Sequence, residues 1–325
     1  MSKNKKIKKC LFPAAGYGTR FLPATKAIPK EMLPVLTKPL LQYGVEEAIS
    51  AGCETMAIVT GRGKRAIEDH FDISYELEHQ IKGTAKEHYL TEIRDVITNC
   101  TFSYTRQIEM KGLGHAILCG ETLIGDEPFA VILADDLCDN DGDAVLSQMI
   151  KLYEKYQCSI VAVEEIPAQD SNKYGVIAGD KIPSQAENDD KTQAENDDKT
   201  QAENDDKTQA ENEENRHPEL VPQGYYSGHS ESLFRVTNMV EKPEPEDAPS
   251  NLAIIGRYIL TPDIFDIIRD TKPGKGGEIQ ITDALLTQAK AGNVIAYKFK
   301  GKRFDCGSVD GFVQATNYFY DKSNK

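Results

Sequence analysis

LFPAAGYGTRFLPATKAIPKEMLPV, residues Leu11 to Val35, turns a short apolar strand into a small-residue loop and then into a run of cations. The strand is Cys10 to Phe12, the loop is Ala14-Ala15-Gly16-Tyr17-Gly18-Thr19-Arg20, and the cations are Arg20, Lys26 and Lys30. Small residues admit a bulky anion close to the backbone, and N–H groups in such a loop point at phosphate oxygens. The cations add the positive field. A polyphosphate held this way is polarised as well as bound, so the segment predicts chemistry on a nucleotide. Two familiar phosphate loops are excluded. The third glycine of a dinucleotide-binding fingerprint would fall at position 21, which is Phe21. No Gly-Lys-Ser/Thr follows the loop, as a P-loop requires. Pro13, Pro23, Pro29 and Pro34 fix φ and rule out a long helix, which leaves Lys26 and Lys30 on an irregular but stiff loop.

Outward from this segment the pattern alternates. A helix is predicted from Pro39 to Ala51, with Pro39 at its first position, Leu41, Val45, Ala48 and Ile49 on one face and Gly52 ending it. Apolar runs at Met56–Thr60, Phe129–Leu133, Ser159–Val163 and Leu252–Leu260 read as buried strands. Thr261-Pro262-Asp263 reads as the cap of a further helix with Ile264, Phe265, Ile267 and Ile268 on one face. Strands alternating with helices predict an α/β, Rossmann-like fold, a mostly parallel central sheet flanked by helices. Ligands bind such sheets at the carboxyl ends of strands. The Gly16 loop and the Asp135 turn both follow strands, so they are expected to meet at one edge.

The 325 residues suggest one large or two modest domains, and 39% hydrophobic content supplies a sizeable core. The net charge of -14 argues against a nucleic-acid partner, which needs a basic face. No stretch approaches the roughly 20 apolar residues that span a bilayer. Seven cysteines without a CxxC pair read as reduced, buried thiols of a cytoplasmic protein. One segment stands apart. The octad QAENDDKT occurs three times from Gln185 to Thr208, and a worn copy, QAENEENR, ends at Arg216. These copies contribute -8 of the -14 and contain no Val, Ile, Leu, Phe or Tyr. The segment 185–216 is therefore predicted to be a disordered acidic loop inserted in a single 1–325 domain.

Four further clusters carry chemistry. Val131-Ile132-Leu133-Ala134-Asp135-Asp136 ends a strand in two carboxylates; unless the strand has ended, alternation keeps both from facing one cation such as Mg²⁺, and Asp135 is the better candidate. In Val240-Glu241-Lys242-Pro243 the segment is predicted to be extended, with Glu241 free for hydroxyls and Lys242 for a phosphate. Gly276-Gly277-Glu278 offers a carboxylate to sugar hydroxyls, ahead of a helix that Thr282 is expected to cap. Phe304-Asp305-Cys306-Gly307 offers another carboxylate. Tyr174-Gly175-Val176 brings backbone groups to a ligand, while Gln107 and Gly112-Leu113-Gly114-His115-Ala116 suit a base edge and ring, with His115 itself read as structural.

These clusters, in this order, resemble the sugar-phosphate nucleotidylyltransferases. The blocks are AAGYGTRFLPATKAIPKEMLP, RQIEMKGLGHA, LADD, YGVI, VEKPEPEDAPSNLAIIGRYIL, GGEIQITDALL and FDCGS. They cover nearly the whole chain outside the octads, and they look most like the members that act on UTP and glucose 1-phosphate. Ala134 departs from the proline or glycine that relatives often place before the aspartate. The resemblance implies a nucleotidyltransferase-type fold and an in-line attack of the sugar phosphate on the α-phosphorus of UTP, with pyrophosphate leaving. It implies Arg20, Lys30 and Lys242 as catalytic cations, and Asp135 and Asp305 as Mg²⁺ ligands. Ala14, Ala15, Gly16, Gly18, Lys26, Glu31, Gln107, Gly112, Gly175, Glu241 and Glu278 are implied as substrate contacts. A homo-oligomer, dimer or tetramer, is implied by analogy alone. Another base or hexose 1-phosphate, or a non-catalytic sugar-nucleotide-binding homologue, remains open at this level.

Overall fold

The computed structural model describes residues 5–140, 142–183 and 232–324. The octad segment 185–216 lies outside the described residues. In chain order the strands are β1 (Lys9–Pro13), β2 (Pro34–Val35), β3 (Lys38–Pro39), β4 (Thr55–Thr60), β5 (Thr101–Arg106), β6 (Phe129–Ile132), β7 (Asp136–Asp139), β8 (Ser159–Glu165), β9 (Gly175–Lys181), β10 (Leu233–Glu241), β11 (Leu252–Leu260), β12 (Val294–Lys298) and β13 (Lys302–Asp305). Nine of them form one sheet in the order β5-β4-β1-β6-β11-β8-β12-β10-β9, while β13 pairs with β7 and β2 with β3.

The sheet is mixed, not mostly parallel as expected. β5, β4, β1 and β6 run parallel, as do β8 and β12. β11 runs antiparallel to β6 and β8, and β10 antiparallel to β12 and β9. The sequence hides this because β11 is buried at every position. A strand covered on both faces reads as one apolar run whichever way it points.

Side-chain alternation sorts the core into two layers. Cys10, Phe12, Met56 and Ile58 pack on one face with Leu41, Val45 and Ala48 of helix Leu40–Ser50 and Met149 and Tyr153 of helix Val145–Tyr156. Leu11, Ala57 and Val59 pack on the other with Ile117, with Ile264, Phe265 and Ile268 of helix Ile264–Asp270, and with Ala284 and Leu285 of helix Ile281–Lys290. Three local expectations need correction. Pro39 precedes its helix and belongs to β3. Asp263 takes the N-cap position of the next helix, but neither its side chain nor that of Thr261 makes a capping bond. Thr261 Oγ1 and Asp263 Oδ2 instead accept from Gln288 Nε2 at 3.0 and 2.9 Å. Thr282 lies inside its helix, which begins at Ile281. Among the described residues no helix is long and apolar enough to cross a membrane.

β1 and β6 are adjacent and parallel, with Cys10 opposite Ala130 and Leu11 opposite Val131. The loop after Pro13 and the turn after Ile132 therefore leave the sheet at the same edge, as expected. β5 points the same way through β4, so Gln107 emerges there too. The register of β11 slips between Ile254 and Tyr258. At this bulge Arg257 is 1% exposed, and its guanidinium grips Glu47 through Nε at 3.1 Å and Nη2 at 2.7 Å. Glu47 Oε1 also accepts from Leu146 N at 3.0 Å. The pair thus ties a sheet strand to two helices of one face. Breaking a buried pair leaves a charge without a partner, so Arg257→Ala is expected to lower the unfolding free energy by about 3–5 kcal/mol in urea titrations. A loss below about 1 kcal/mol, the range of exposed pairs, would contradict this account.

Candidate active site

The glycine loop is held at both ends. Ala14 N donates to Val59 O at 2.8 Å, so that amide is already engaged. Gly18 has φ +65, a conformation natural to glycine, and a Cβ there would lie 2.9 Å from Lys30 Cβ. Gly18 O accepts from Thr25 Oγ1 at 2.7 Å. The prolines break the rest into three short 3-10 turns, Thr19–Phe21, Ala24–Lys26 and Lys30–Met32, which agrees with an irregular, stiff loop. The third turn carries Lys30 back over Gly18.

Lys30 Nζ is ion-paired to Asp135 Oδ2, with both side chains about a quarter exposed. Burial would lower the Lys30 ammonium, but the Asp135 and Glu31 carboxylates outweigh it and hold it above its ordinary value. Burial would likewise raise the Asp135 carboxyl, and the lysine overrides it, keeping Asp135 below the usual carboxylate range. Asp135 and Asp136 do separate, but not by strand alternation: β6 ends at Ile132, Asp135 sits in the turn closed by Asp136 N donating to Leu133 O at 3.1 Å, and Asp136 opens β7. Asp136 turns inward, where Oδ2 accepts from Gly256 N at 2.6 Å and Oδ1 from Arg303 Nε at 2.7 Å.

The ribbon of β7 and β13 brings Asp305 opposite Asp136, and Cys306 N donates to Asp135 O at 2.7 Å. Gly307 then sits between the two cleft carboxylates. A Cβ built on it would lie 3.0 Å from Asp135 Oδ2, 3.0 Å from Asp305 Oδ1 and 3.3 Å from Arg20 Nη1. Arg20 also donates from Nη1 to Gly307 O at 3.3 Å. Arg20, Lys30, Asp135 and Asp305, from three separate stretches of sequence, thus face one small volume. Lys26 is exposed and makes none of the contacts that link them.

A second group adjoins the first through Tyr174. Its hydroxyl donates to Asp305 Oδ2 at 3.0 Å, and its carbonyl accepts from Lys242 N at 3.0 Å. Lys242 is not extended as expected. Its φ is 47, in the left-handed region that residues other than glycine seldom occupy, although a proline follows. Such strain persists only where surrounding contacts hold it. Glu241, opposite Gly175 in the β9–β10 register, lies 3.5 Å from Lys242 Nζ through Oε1 and accepts from Thr282 Oγ1 at 3.0 Å through Oε2. A Cβ on Gly175 would come within 2.6 Å of Thr282 Cγ2, so glycine lets these three groups converge.

The third group contains Gln107, Gly112 and Glu278. A Cβ on Gly112 would meet Glu278 Cβ at 2.7 Å. Gln107 is buried, and its Nε2 donates to Gly112 O at 3.1 Å and to His115 Nδ1 at 2.9 Å. These contacts fit a structural histidine. Glu31 departs from the expected loop contact. It is 2% exposed, paired to Lys64 Nζ at 2.7 Å, with Oε1 lacking a hydrogen-bond partner. Glu31 therefore anchors the loop from beneath.

Sequence reading missed the Tyr174 side chain, Lys64, Thr282 as a partner of Glu241, and Arg303. Arg303 alone had a signal, since it lies two residues before Asp305 on one strand and so shares its face. Burial pushes the Glu31 carboxyl up, against the pull of Lys64 and Lys30. Such a group favours the fold below its unfolded value near 4.5 and works against it as pH rises through the folded value. Lys64→Met removes the pull and shifts the carboxyl further up. The variant is expected to be close to wild type in stability near pH 4.5 and to lose ground toward pH 7, by about 1.4 kcal/mol per added pKa unit. A pH-independent deficit in denaturant titrations would contradict this.

The nucleotidyl transferase family model matches residues 11–195 and 216–322. The match is interrupted inside the octad segment. A UTP–glucose-1-phosphate uridylyltransferase of Pseudomonas aeruginosa is 62% identical over 320 residues, 98% of this chain and 98% of the relative. One from Bacillus subtilis is 41% identical over 315 residues, 97% and 91% of the two chains. A crystal structure of apo UDP-glucose pyrophosphorylase superposes with a TM-score of 0.80 at 57% identity, covering 98% of this chain and 99% of that one. Another, complexed with UDP-glucose, gives 0.77 at 55% identity, covering 97% and 99%.

Proposed function

The chain belongs to the nucleotidyl transferase family, and from that premise we propose how it transfers a uridylyl group from UTP to glucose 1-phosphate, giving UDP-glucose and pyrophosphate. The observation that carries the site assignment is the convergence of Arg20, Lys30, Asp135 and Asp305 around Gly307. Two polyanions must touch in this reaction, and cations are what suppress their repulsion.

A phosphate oxygen of glucose 1-phosphate attacks the α-phosphorus of UTP in line. The new P–O bond forms as the α–β bridge breaks, and pyrophosphate leaves with that electron pair. A phosphate monoester is already nucleophilic near neutral pH, so no strong base is needed. The loop from Ala14 to Gly18 cradles the triphosphate, with Lys26 at its rim. Lys30 exchanges its bond with Asp135 for the UTP phosphates, and Arg20 holds the departing pyrophosphate. Lys242 fixes the attacking sugar phosphate. Gln107 and Gly112 face uracil, while Glu241, Gly175 and Glu278 face the sugar.

The donors present fit a hard divalent cation. Asp135 Oδ2 and Asp305 Oδ1 are each 3.0 Å from the place of a Gly307 Cβ. Mg²⁺ favours one or two carboxylates and takes its remaining ligands from phosphates and water. Among the described residues no group of three or more His, Cys, Asp or Glu is arranged for a metal, so substrate oxygens would complete the shell. Asp135 and Asp305 would hold Mg²⁺, which when bound neutralises charge on the phosphate oxygens. The whole chain, 1–325, acts as one catalytic domain carrying the 185–216 insert, a reading supported by the interrupted family match. Seven unpaired thiols favour a reducing, cytoplasmic setting. We extend the family's oligomeric habit, dimer or tetramer, to this chain by analogy.

Kinetics with UTP, glucose 1-phosphate and Mg²⁺ test the assignments. Lys242→Ala is expected to raise KM for glucose 1-phosphate about tenfold or more while KM for UTP changes little. Equal KM values for both substrates and an unchanged kcat would remove Lys242 from the site. Asp135→Asn is expected to cut kcat by about 100-fold or more, and wild-type turnover would rule out its metal role.

A further inference from the structure

Tyr174 belongs to neither substrate group, yet it is bonded to both. Its ring lies against the Arg303 guanidinium, 4.8 Å from the ring centre to Cζ. Arg303 in turn is 5% exposed and paired to Asp136 and Glu164, so the ring has a fixed wall behind it. The tyrosine O–H occupies Oδ2 of Asp305 at 3.0 Å, and Gly307 N donates to the other oxygen, Oδ1, at 3.0 Å. Oδ1 is the oxygen that flanks Gly307 together with Asp135 Oδ2, each 3.0 Å from the place of a Gly307 Cβ. The terminal torsion of an aspartate is broad, so without a second donor the plane of the carboxylate can swing away from Asp135.

We propose that Tyr174 is a positioning residue that locks the Asp305 carboxylate in the orientation a hard divalent cation needs, while its carbonyl holds the strained backbone of Lys242 beside the same site. The inference rests on the reading of Asp135 and Asp305 as the cation pair. One residue thereby sets the spacing between the cation carboxylates and the lysine assigned to the sugar phosphate. Donors behind a metal-binding carboxylate fix its direction, and their loss typically weakens metal binding 10- to 100-fold.

Tyr174→Phe removes one O–H and keeps the ring, the wall and the carbonyl. The probe is Mn²⁺ alone, titrated into the full-length chain, with the free ion read by electron paramagnetic resonance. The expected result is a Kd raised about tenfold, a melting temperature within about 2 °C of wild type, and an unchanged KM for glucose 1-phosphate, since the carbonyl bond to Lys242 remains. In an Asp305→Asn background the same change is expected to add nothing further, because its target is gone. Wild-type Mn²⁺ affinity in Tyr174→Phe, with affinity reduced in Asp305→Asn, overturns the role of Tyr174 and leaves the cation pair standing. Unchanged affinity in both Asp135→Asn and Asp305→Asn overturns the pair and the inference together. Additive losses in the double variant, or a weaker Kd accompanied by a large fall in melting temperature, would mean general loosening and also overturn it.

Discussion

The buried contact between Arg303 and Asp136 is the constraint on which the remaining site geometry depends. Arg303 reaches Asp136 through Nε at 2.7 Å and Nη2 at 2.6 Å, pairs with Glu164 through Nη1, and supports the Tyr174 ring. Asp136 accepts from Gly256 N as well, at 2.6 Å. One guanidinium therefore joins the turn after β6, the bulged strand β11, the end of β8 and the ribbon strand β13. Burial pushes the carboxyls of Asp136 and Glu164 up, and Arg303 is what opposes it. Without that cation two crowded carboxylates would face each other in a poorly solvated space, a situation that costs several kcal/mol. Asp135 points into the cleft with its neighbour Asp136 locked behind it, and Arg303, two residues before Asp305, fixes the strand that carries Asp305.

The same economy recurs beneath the phosphate loop. Lys64 holds Glu31, and Glu31 sits next to Lys30 in the chain. The visible cation is placed by an invisible pair. Each half of the site thus has a buried ion pair as its foundation and an exposed charge as its working end. Buried pairs do not add much stability by themselves, but they penalise every arrangement that separates them. That penalty is what gives a loop built of 3-10 turns a definite shape.

Much of this was legible in the sequence where a local rule applied. The two carboxylates at the end of an apolar strand marked the cleft, although the turn at Asp135, not alternation along a strand, is what parts Asp135 from Asp136. The prolines between Pro13 and Pro34 announced a loop without a helix, and the parallel strands before Ala14 and Asp135 placed their ends together. Features that depend on distant partners were not legible. Nothing local in Leu252–Leu260 tells which way β11 runs, since both its faces are covered. A proline after Lys242 argues for extended backbone, and tertiary contacts at Tyr174 override it. Thr261 and Thr282 resemble helix caps, but each hydroxyl found a side chain elsewhere in the fold. Glu31 reads as one more polar loop residue until Lys64 is brought beneath it.

The distribution of sulfur has a consequence of its own. Burial raises every one of the seven thiols, with Cys53, Cys138, Cys158 and Cys306 pushed up to about 12. Since the thiolate is the reactive species, at neutral pH only about one such group in 100,000 is ionised at any moment. The deeply buried thiols therefore react slowly with alkylating and oxidising agents while the fold is closed, and become vulnerable when its layers part. Sulfur chemistry in this protein thus keeps time with breathing of the core, so the rate at which its thiols are labelled reports how often the two layers separate.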